Sequence, residues 1–112
     1  MSAFDSLGQS DFHRRLATTA GAALVFFTVP ACGSCRRLRR VLAHGAWRGL
    51  ALFEVDAERE SGLVHEFEVT RLPALHLFRN GCYHAPVEAQ PTPERLQAAI
   101  AAALQAPARE AP

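Results

Sequence analysis

The chain has 112 residues, a length that suits one domain with a modest core and no need for disulfide staples. Hydrophobic residues make up 49% of it and charged residues 21%, as in ordinary soluble globular proteins. The net charge of +1 provides no general attraction to nucleic acid or to a membrane surface. We therefore expect one domain over residues 1–112, with a core over about residues 4–105 and with neither nucleic acid nor membrane as a partner.

Hydrophobic periodicity and turn residues predict nine elements. In chain order they are strand 4–7, a helix from Ser10 or Asp11 to Ala20, strand 22–29, helix 32–44, strand 50–56, helix 61–67, strand 74–78, strand 83–87 and helix 93–104. The continuous apolar run 22–29 is typical of a central strand that is covered on both faces. Asn80-Gly81 favours a type I′ hairpin turn, and Pro86 places the following strand at a sheet edge.

The order β-α-β-α-β-α-β-β-α predicts an α/β fold in which helices flank a mixed central sheet on both faces. The Ala- and Pro-rich residues 106–112 are expected to fray. Residues 1–7 lack the charged start and apolar stretch of a secretion signal, and no run approaches the roughly 18 apolar residues that span a bilayer. These observations predict a cytoplasmic protein.

Cys32-Gly33-Ser34-Cys35 lies where the predicted central strand ends and a helix begins. The unpaired N–H groups and the positive dipole end of a helix start stabilise an anion, so we expect a thiolate on Cys32. Only the thiolate attacks a disulfide. Cys35, about one helical turn further on, can then close a ring with Cys32 and release the partner. Gly33 and Ser34 would set the geometry of that ring.

Other candidate sites have simpler explanations. The second helix carries four arginines that either steer acidic partners or form a solvated face: Arg36, Arg37, Arg39 and Arg40. Cys82 is either a regulatory or dimer-forming thiol or a spectator side chain. A zinc site at Cys32 and Cys35 would need a second cysteine pair or a closely spaced histidine pair, and the sequence offers neither. We therefore expect no metal and no bound cofactor.

This element order, with the cysteine pair after the second strand, resembles the thioredoxin family. The matching residues extend over most of the chain: Phe12, Cys32-Gly33-Ser34-Cys35, Val55-Asp56, Leu72-Pro73 and Phe78-Arg79-Asn80-Gly81. The resemblance implies a thioredoxin-like fold in which Pro73 is a cis proline facing the cysteines. It also implies that Leu72 offers backbone hydrogen bonds to an extended substrate, in a groove that Ala31 and Ala89 help to line.

Several positions depart from the family pattern. Ala31 replaces the common tryptophan before the first cysteine, Ser34 the proline between the cysteines, and Ala89 the glycine of the groove loop. Phe26 stands where the family has a buried acid, and Leu52 where it has the lysine partner of that acid. Because both charges are lost together, no uncompensated charge is left in the core. The family uses this acid to move a proton to or from the second cysteine, so we expect slower reduction than in a typical thioredoxin.

The resemblance implies a thiol–disulfide oxidoreductase, and we expect a protein-disulfide reductase of cell redox homeostasis. Cys32 would attack and Cys35 would resolve the mixed disulfide. The partners would be protein disulfides and an external reductase or dithiol donor, and the protein would act as a monomer. Two alternatives stay open: a non-catalytic module of the same fold that grips one partner, and an oxidant or isomerase of an oxidising compartment.

Overall fold

The computed structural model describes residues 4–112, so residues 1–3 of the predicted domain lie outside the described part of the chain. The order of elements is the predicted one. The strands are β1 (Asp5–Ser6), β2 (Ala22–Thr28), β3 (Leu50–Asp56), β4 (Ala74–Arg79) and β5 (Cys82–Val87). The helices are α1 (Phe12–Ala17), α2 (Gly33–His44), α3 (Ser61–Glu66) and α4 (Pro93–Gln105).

The described strands form one mixed sheet in the order β1-β3-β2-β4-β5. β3 runs parallel to β1 and β2, whereas β4 is antiparallel to β2 and β5. The predicted α/β fold with a mixed central sheet is therefore confirmed. The β5 strand that contains Pro86 lies at an edge, where a residue without an N–H group is tolerated.

Two apolar layers lie on opposite faces of the sheet, because successive side chains of a strand point to opposite sides. Leu24 and Phe26 of β2 contribute to the layer under α2 and α4, which also contains Cys35. Val25 and Phe27 contribute to the layer under α1 and α3. Burial on both faces of β2 explains its continuous apolar sequence. It also fixes the end of β2, from which the chain enters the cysteine loop.

The predicted first helix is too long. It ends at Ala17 rather than at Ala20. The hydroxyl groups of Thr18 and Thr19 donate hydrogen bonds to the carbonyl oxygen of Arg15 at 3.0 and 2.8 Å. Such local side-chain bonds compete with the helical backbone ladder, and this competition ends the helix early.

The C-terminal residues beyond α4 return to the sheet. The backbone N–H of Arg109 donates a hydrogen bond of 2.7 Å to the carbonyl oxygen of His84 in β5. Part of the tail over residues 106–112, which we predict to fray, is thus held against the edge strand. Among the described residues, none of the helices combines the length and the apolar character that crossing a bilayer requires.

The Asn80-Gly81 turn connects β4 to β5 and contacts α1. Its φ angles are +50° and +84°, the two positive values that a type I′ turn requires. A Cβ atom on Gly81 would lie 2.8 Å from the Cα of Ala17. Gly81 is therefore required both by its positive φ angle and by the lack of room for a side chain. Gly49 also has a positive φ angle, +68°, but a Cβ atom there would have no other atom within 4 Å.

We predict that Gly81→Ala lowers the free energy of unfolding by about 2–3 kcal/mol, because it adds a clash with α1 to the backbone strain. The matched control Gly49→Ala carries the strain alone and should lose about 1 kcal/mol. Urea denaturation of the two variants measures the difference. Equal losses would contradict the close approach of the turn to α1.

Candidate active site

Cys32 is the N-cap residue of α2, and its sulfur accepts a hydrogen bond of 3.1 Å from the backbone N–H of Cys35. The sulfur thus occupies the place that a serine or aspartate oxygen takes at other helix starts. The backbone of Cys32 is extended, with φ −87° and ψ 116°, so the chain turns into the helix immediately after it. This geometry confirms the prediction that the motif lies where a strand gives way to a helix.

The environment of Cys32 favours its thiolate. The pKa of Cys32 lies below its ordinary value, chiefly because the Cys35 thiol donates a hydrogen bond to it. The backbone N–H groups of Cys35 and Ser34 and the positive charge of Arg36 also lower this pKa, and the limited burial of the sulfur opposes them. Cys32 is half-buried and can be reached from solvent.

Cys35 has the opposite environment. It is only 1% exposed, and burial is the main cause that raises its pKa above the ordinary value. Its hydrogen bond to Cys32 also raises this pKa, whereas the hydroxyl of Thr28 and the N–H of Val29 act against that change. An accessible sulfur with a lowered pKa beside a buried sulfur with a raised pKa is the arrangement in which the first can attack a disulfide while the second keeps its proton.

A groove of about 590 Å³ opens beside the start of α2. Ser34, Leu72, Pro73 and Ala89 lie together in its lining. The peptide bond between Leu72 and Pro73 is cis, as the family resemblance implies. Ala31 is exposed in the loop before Cys32 and does not line this groove, so the structure brings together three of the four residues that we expect at a substrate site.

Phe26 occupies the position at which the family has a buried acid. It is fully buried, and its ring centroid lies 5.8 Å from that of Phe4. It belongs to the same apolar layer as Cys35, and the half-buried Leu52 packs against that layer. The departure seen in the sequence thus places an aromatic ring, instead of a carboxylate, in the layer that surrounds the second cysteine.

An ion pair that the sequence did not indicate lies next to Phe26. Arg39 of α2, which we placed on a solvated or partner-steering face, binds the carboxylate of Glu54 and lies 5.2 Å from the ring of Phe4. Glu54 pairs with Phe26 across the sheet. The ion pair forms one wall of a second cleft, of about 550 Å³, which Thr28 also lines. The periodicity of each element could not reveal this contact between two elements.

Two other side chains with titratable chemistry are a buried histidine of β4 and the third cysteine. His76 is buried, with its Nδ1 atom 2.7 Å from the Tyr83 hydroxyl, and burial lowers the pKa of His76. Cys82 is exposed at the start of β5. Over residues 4–112, the histidine, cysteine and carboxylate side chains form no group of three or more that could hold a metal ion.

The Thioredoxin family model matches residues 4–102. The chain belongs to the thioredoxin family. Proteins of this family carry their redox centre in their own cysteines and need no added cofactor. In this chain Cys32 and Cys35 have the CxxC spacing and lie at the start of α2.

The relatives by sequence are disulfide isomerases. The chain is 36% identical over 78 residues to protein disulfide-isomerase A3 of Gallus gallus. It is 32% identical over 81 residues to the probable protein disulfide-isomerase ER-60 of Schistosoma mansoni. Each match covers 67% of this chain but only 15% and 16% of the respective relatives, which are much longer proteins.

Solved structures agree with the fold. The zinc-bound form of human ERp44 matches with a TM-score of 0.73 over 88% of this chain and 31% of that chain. Form I of human ERp44 matches with a TM-score of 0.74 over 94% of this chain and 30% of that chain. Both are 21% identical in sequence, so they bear on the fold alone. The predicted thioredoxin-like fold is confirmed.

We predict that Cys35→Ala raises the pKa of Cys32, because it removes the thiol whose hydrogen bond lowers that pKa most. Cys35→Ser keeps a donor in the same place and should keep the pKa of Cys32 nearer to that of the wild type. The measurement is the rate of alkylation of Cys32 against pH, with Cys82→Ser in every protein. A higher pKa moves the profile to higher pH, and coincident profiles for the alanine and serine variants would contradict the assignment.

Proposed function

We propose that the protein is a thiol–disulfide oxidoreductase that acts chiefly as a protein-disulfide reductase. The observation that carries the proposal is the sulfur of Cys32 at the N-cap of α2, half-buried and with a lowered pKa. The thiolate is the form that attacks a disulfide, and a lower pKa increases its fraction at neutral pH. A purely structural cysteine would be buried and inert instead.

The reaction proceeds through a mixed disulfide. The Cys32 thiolate attacks one sulfur of a substrate disulfide, forms a bond to it and expels the other sulfur as a thiolate. Cys35 then loses its proton and attacks Cys32, so that a Cys32–Cys35 disulfide forms and the second substrate sulfur leaves. Each substrate thiolate takes up one proton. The substrate gains two electrons, and an external reductase or dithiol donor returns two electrons to the cysteine pair.

The groove beside α2 suits an extended segment of a protein substrate. Leu72, Pro73 and Ala89 line it together with Ser34. Backbone pairing of the strand-like kind with Leu72 would give affinity without demanding one substrate sequence. We therefore assign protein disulfides, rather than small disulfides alone, as the substrates.

We predict that Cys35→Ser accumulates a mixed disulfide through Cys32 when it meets a disulfide-containing protein, because the second attack is missing. Cys32→Ser should form none and should lose essentially all reductase activity. Cys82→Ser is the control and should reduce the substrate like the wild type, since Cys82 lies exposed at the start of β5. Mass spectrometry identifies the adduct. A Cys32→Ser protein with full activity would exclude the proposed function.

The reductase should be slow, because Phe26 replaces the acid that would accept the Cys35 proton. We predict that Phe26→Asp reduces a model disulfide about tenfold faster or more at neutral pH, as expected when a positioned base is supplied. Phe26→Asn is the matched control, since it has a similar size and polarity but cannot accept the proton. Both variants should lose stability, because a polar group enters an apolar layer. An aspartate variant no faster than the wild type would count against the explanation.

Disulfide isomerisation is the second candidate function, and the names of the two sequence relatives favour it. An isomerase rearranges disulfides without net consumption of electrons, whereas a reductase consumes one dithiol equivalent for each disulfide. Refolding of a scrambled protein by a catalytic amount of this chain, with the external dithiol measured, separates the two. If native disulfides form while the external dithiol is not consumed, the result supports isomerisation. A cytoplasmic location and a monomeric state stay predictions.

A further inference from the structure

Thr28 is a polar residue at the buried end of β2. It is 9% exposed and pairs with Asp56 across the sheet, and its carbonyl oxygen accepts a hydrogen bond of 2.9 Å from the N–H of Ala57. It stands two residues after Phe26, and side chains two apart on a strand share a face. Thr28 therefore points to the face that α2 covers, the face on which Cys35 is buried.

The hydroxyl of Thr28 and the N–H of Val29 act on the sulfur of Cys35 as donors, and both oppose the rise that burial causes in the pKa of Cys35. These contacts matter because Cys35 otherwise lies in an apolar layer, where a bare thiolate is strongly disfavoured. A hydroxyl can donate to the sulfur and accept from water at the same time. The carboxylate of a typical family member is missing from this layer, but a hydrogen-bond donor has been placed two residues along the same face.

Thr28 also lines the cleft of about 550 Å³ that opens on the β3 side of the cysteine loop. Cys35 itself does not line the cleft, but Thr28 and Val29, the two lining residues that act on its sulfur, bring the cleft next to it, so water there is the nearest acceptor that we assign to the Cys35 proton. The ionisable groups that line it come from α2, from β3 and from the turn after β3: Arg36, Arg39, Glu54, Asp56, Arg59 and Glu60. Cys32 is the ionisable group that touches Cys35 from the active-site side.

We propose that Thr28 stabilises the Cys35 thiolate while that thiolate attacks Cys32, and that water of the adjacent cleft takes up the Cys35 proton. The proposal rests on the proposed thiol–disulfide exchange and concerns its second step. Before that step, Cys35 carries a proton and Cys32 is bonded to the substrate sulfur. The proton passes to water, the Cys35 sulfur bonds to Cys32, and the substrate sulfur leaves with the electron pair of the broken bond. Thr28 returns to its original state.

The test compares Thr28→Val, which keeps the branched shape without the hydroxyl, with Thr28→Ser, which keeps the hydroxyl. Both are made with Cys82→Ser. A mixed disulfide between Cys32 and a small chromophoric thiol is prepared chemically, and release of that thiol by Cys35 is followed against pH. We expect Thr28→Val to release it about tenfold more slowly at neutral pH, the effect of one lost hydrogen bond to a charged group. Thr28→Ser should follow the wild type.

The sign of the pH dependence separates this role from a structural one. Without the hydroxyl the pKa of Cys35 rises further, so less thiolate is present at neutral pH. At a pH high enough to ionise Cys35 in every variant, the defect of Thr28→Val should disappear. A Thr28→Val profile equal to the wild type, or a defect of the same size at every pH, would overturn the proposal. Thr28→Ala replaces the valine variant if that protein does not fold.

The outcome is distinct from that of the proposed function, because the small thiol is attached chemically and no protein substrate or reductase takes part. Release that depends on the Thr28 hydroxyl, in a protein that reduces no protein disulfide, would support Thr28 and exclude the reductase. If the protein reduces protein disulfides and the pH profile of thiol release is the same in Thr28→Val and the wild type, the reductase is supported and the role of Thr28 is excluded.

Discussion

The hydrogen bond from the Cys35 N–H to the Cys32 sulfur is the contact on which the site depends. It makes a cysteine the cap of α2, and it holds the Cys32 sulfur against the N-terminal end of that helix. The position of the cap is fixed from two sides. β2 is buried on both faces up to Thr28, and α2 is anchored to the same sheet by Cys35, Leu38 and Leu42. The core therefore determines the geometry of the sulfurs.

The two sulfurs have different environments, because Cys32 is partly exposed to solvent and Cys35 is buried in the core. Hydrogen-bond donors and the positive charge of Arg36 lower the pKa of Cys32, whereas burial raises the pKa of Cys35. Phe26 is fully buried in the layer that contains Cys35, and an aromatic ring cannot accept a proton. Loss of a buried charge together with its partner leaves the fold intact, because no unpaired charge is left behind. Under the proposed function, the consequence is a slower second step that depends on the groups still in contact with Cys35.

Much of this molecule could be predicted from the sequence. The apolar run of β2, the Asn80-Gly81 turn and the cysteine motif are local signals, and each of them determines local structure. The cis peptide before Pro73 could be expected only from the family resemblance. The early end of α1 was missed, because periodicity does not register the hydroxyl bonds of Thr18 and Thr19. The roles of Thr28 and of the Arg39–Glu54 ion pair depend on contacts between different helices and strands. A local stretch of sequence does not reveal such contacts.

The most direct measurement is a redox titration of the wild-type protein against glutathione, with mass spectrometry reporting the state of each cysteine. We predict one reversible transition in which Cys32 and Cys35 are oxidised together, with the loss of two protons and two electrons and with Cys82 outside the couple. The midpoint potential of this transition also indicates the direction of the reaction. A strongly reducing couple favours a reductase, and a high potential favours an oxidant. Cysteines that remain thiols at every ratio, or that form only separate adducts with glutathione, would contradict a redox function for this site.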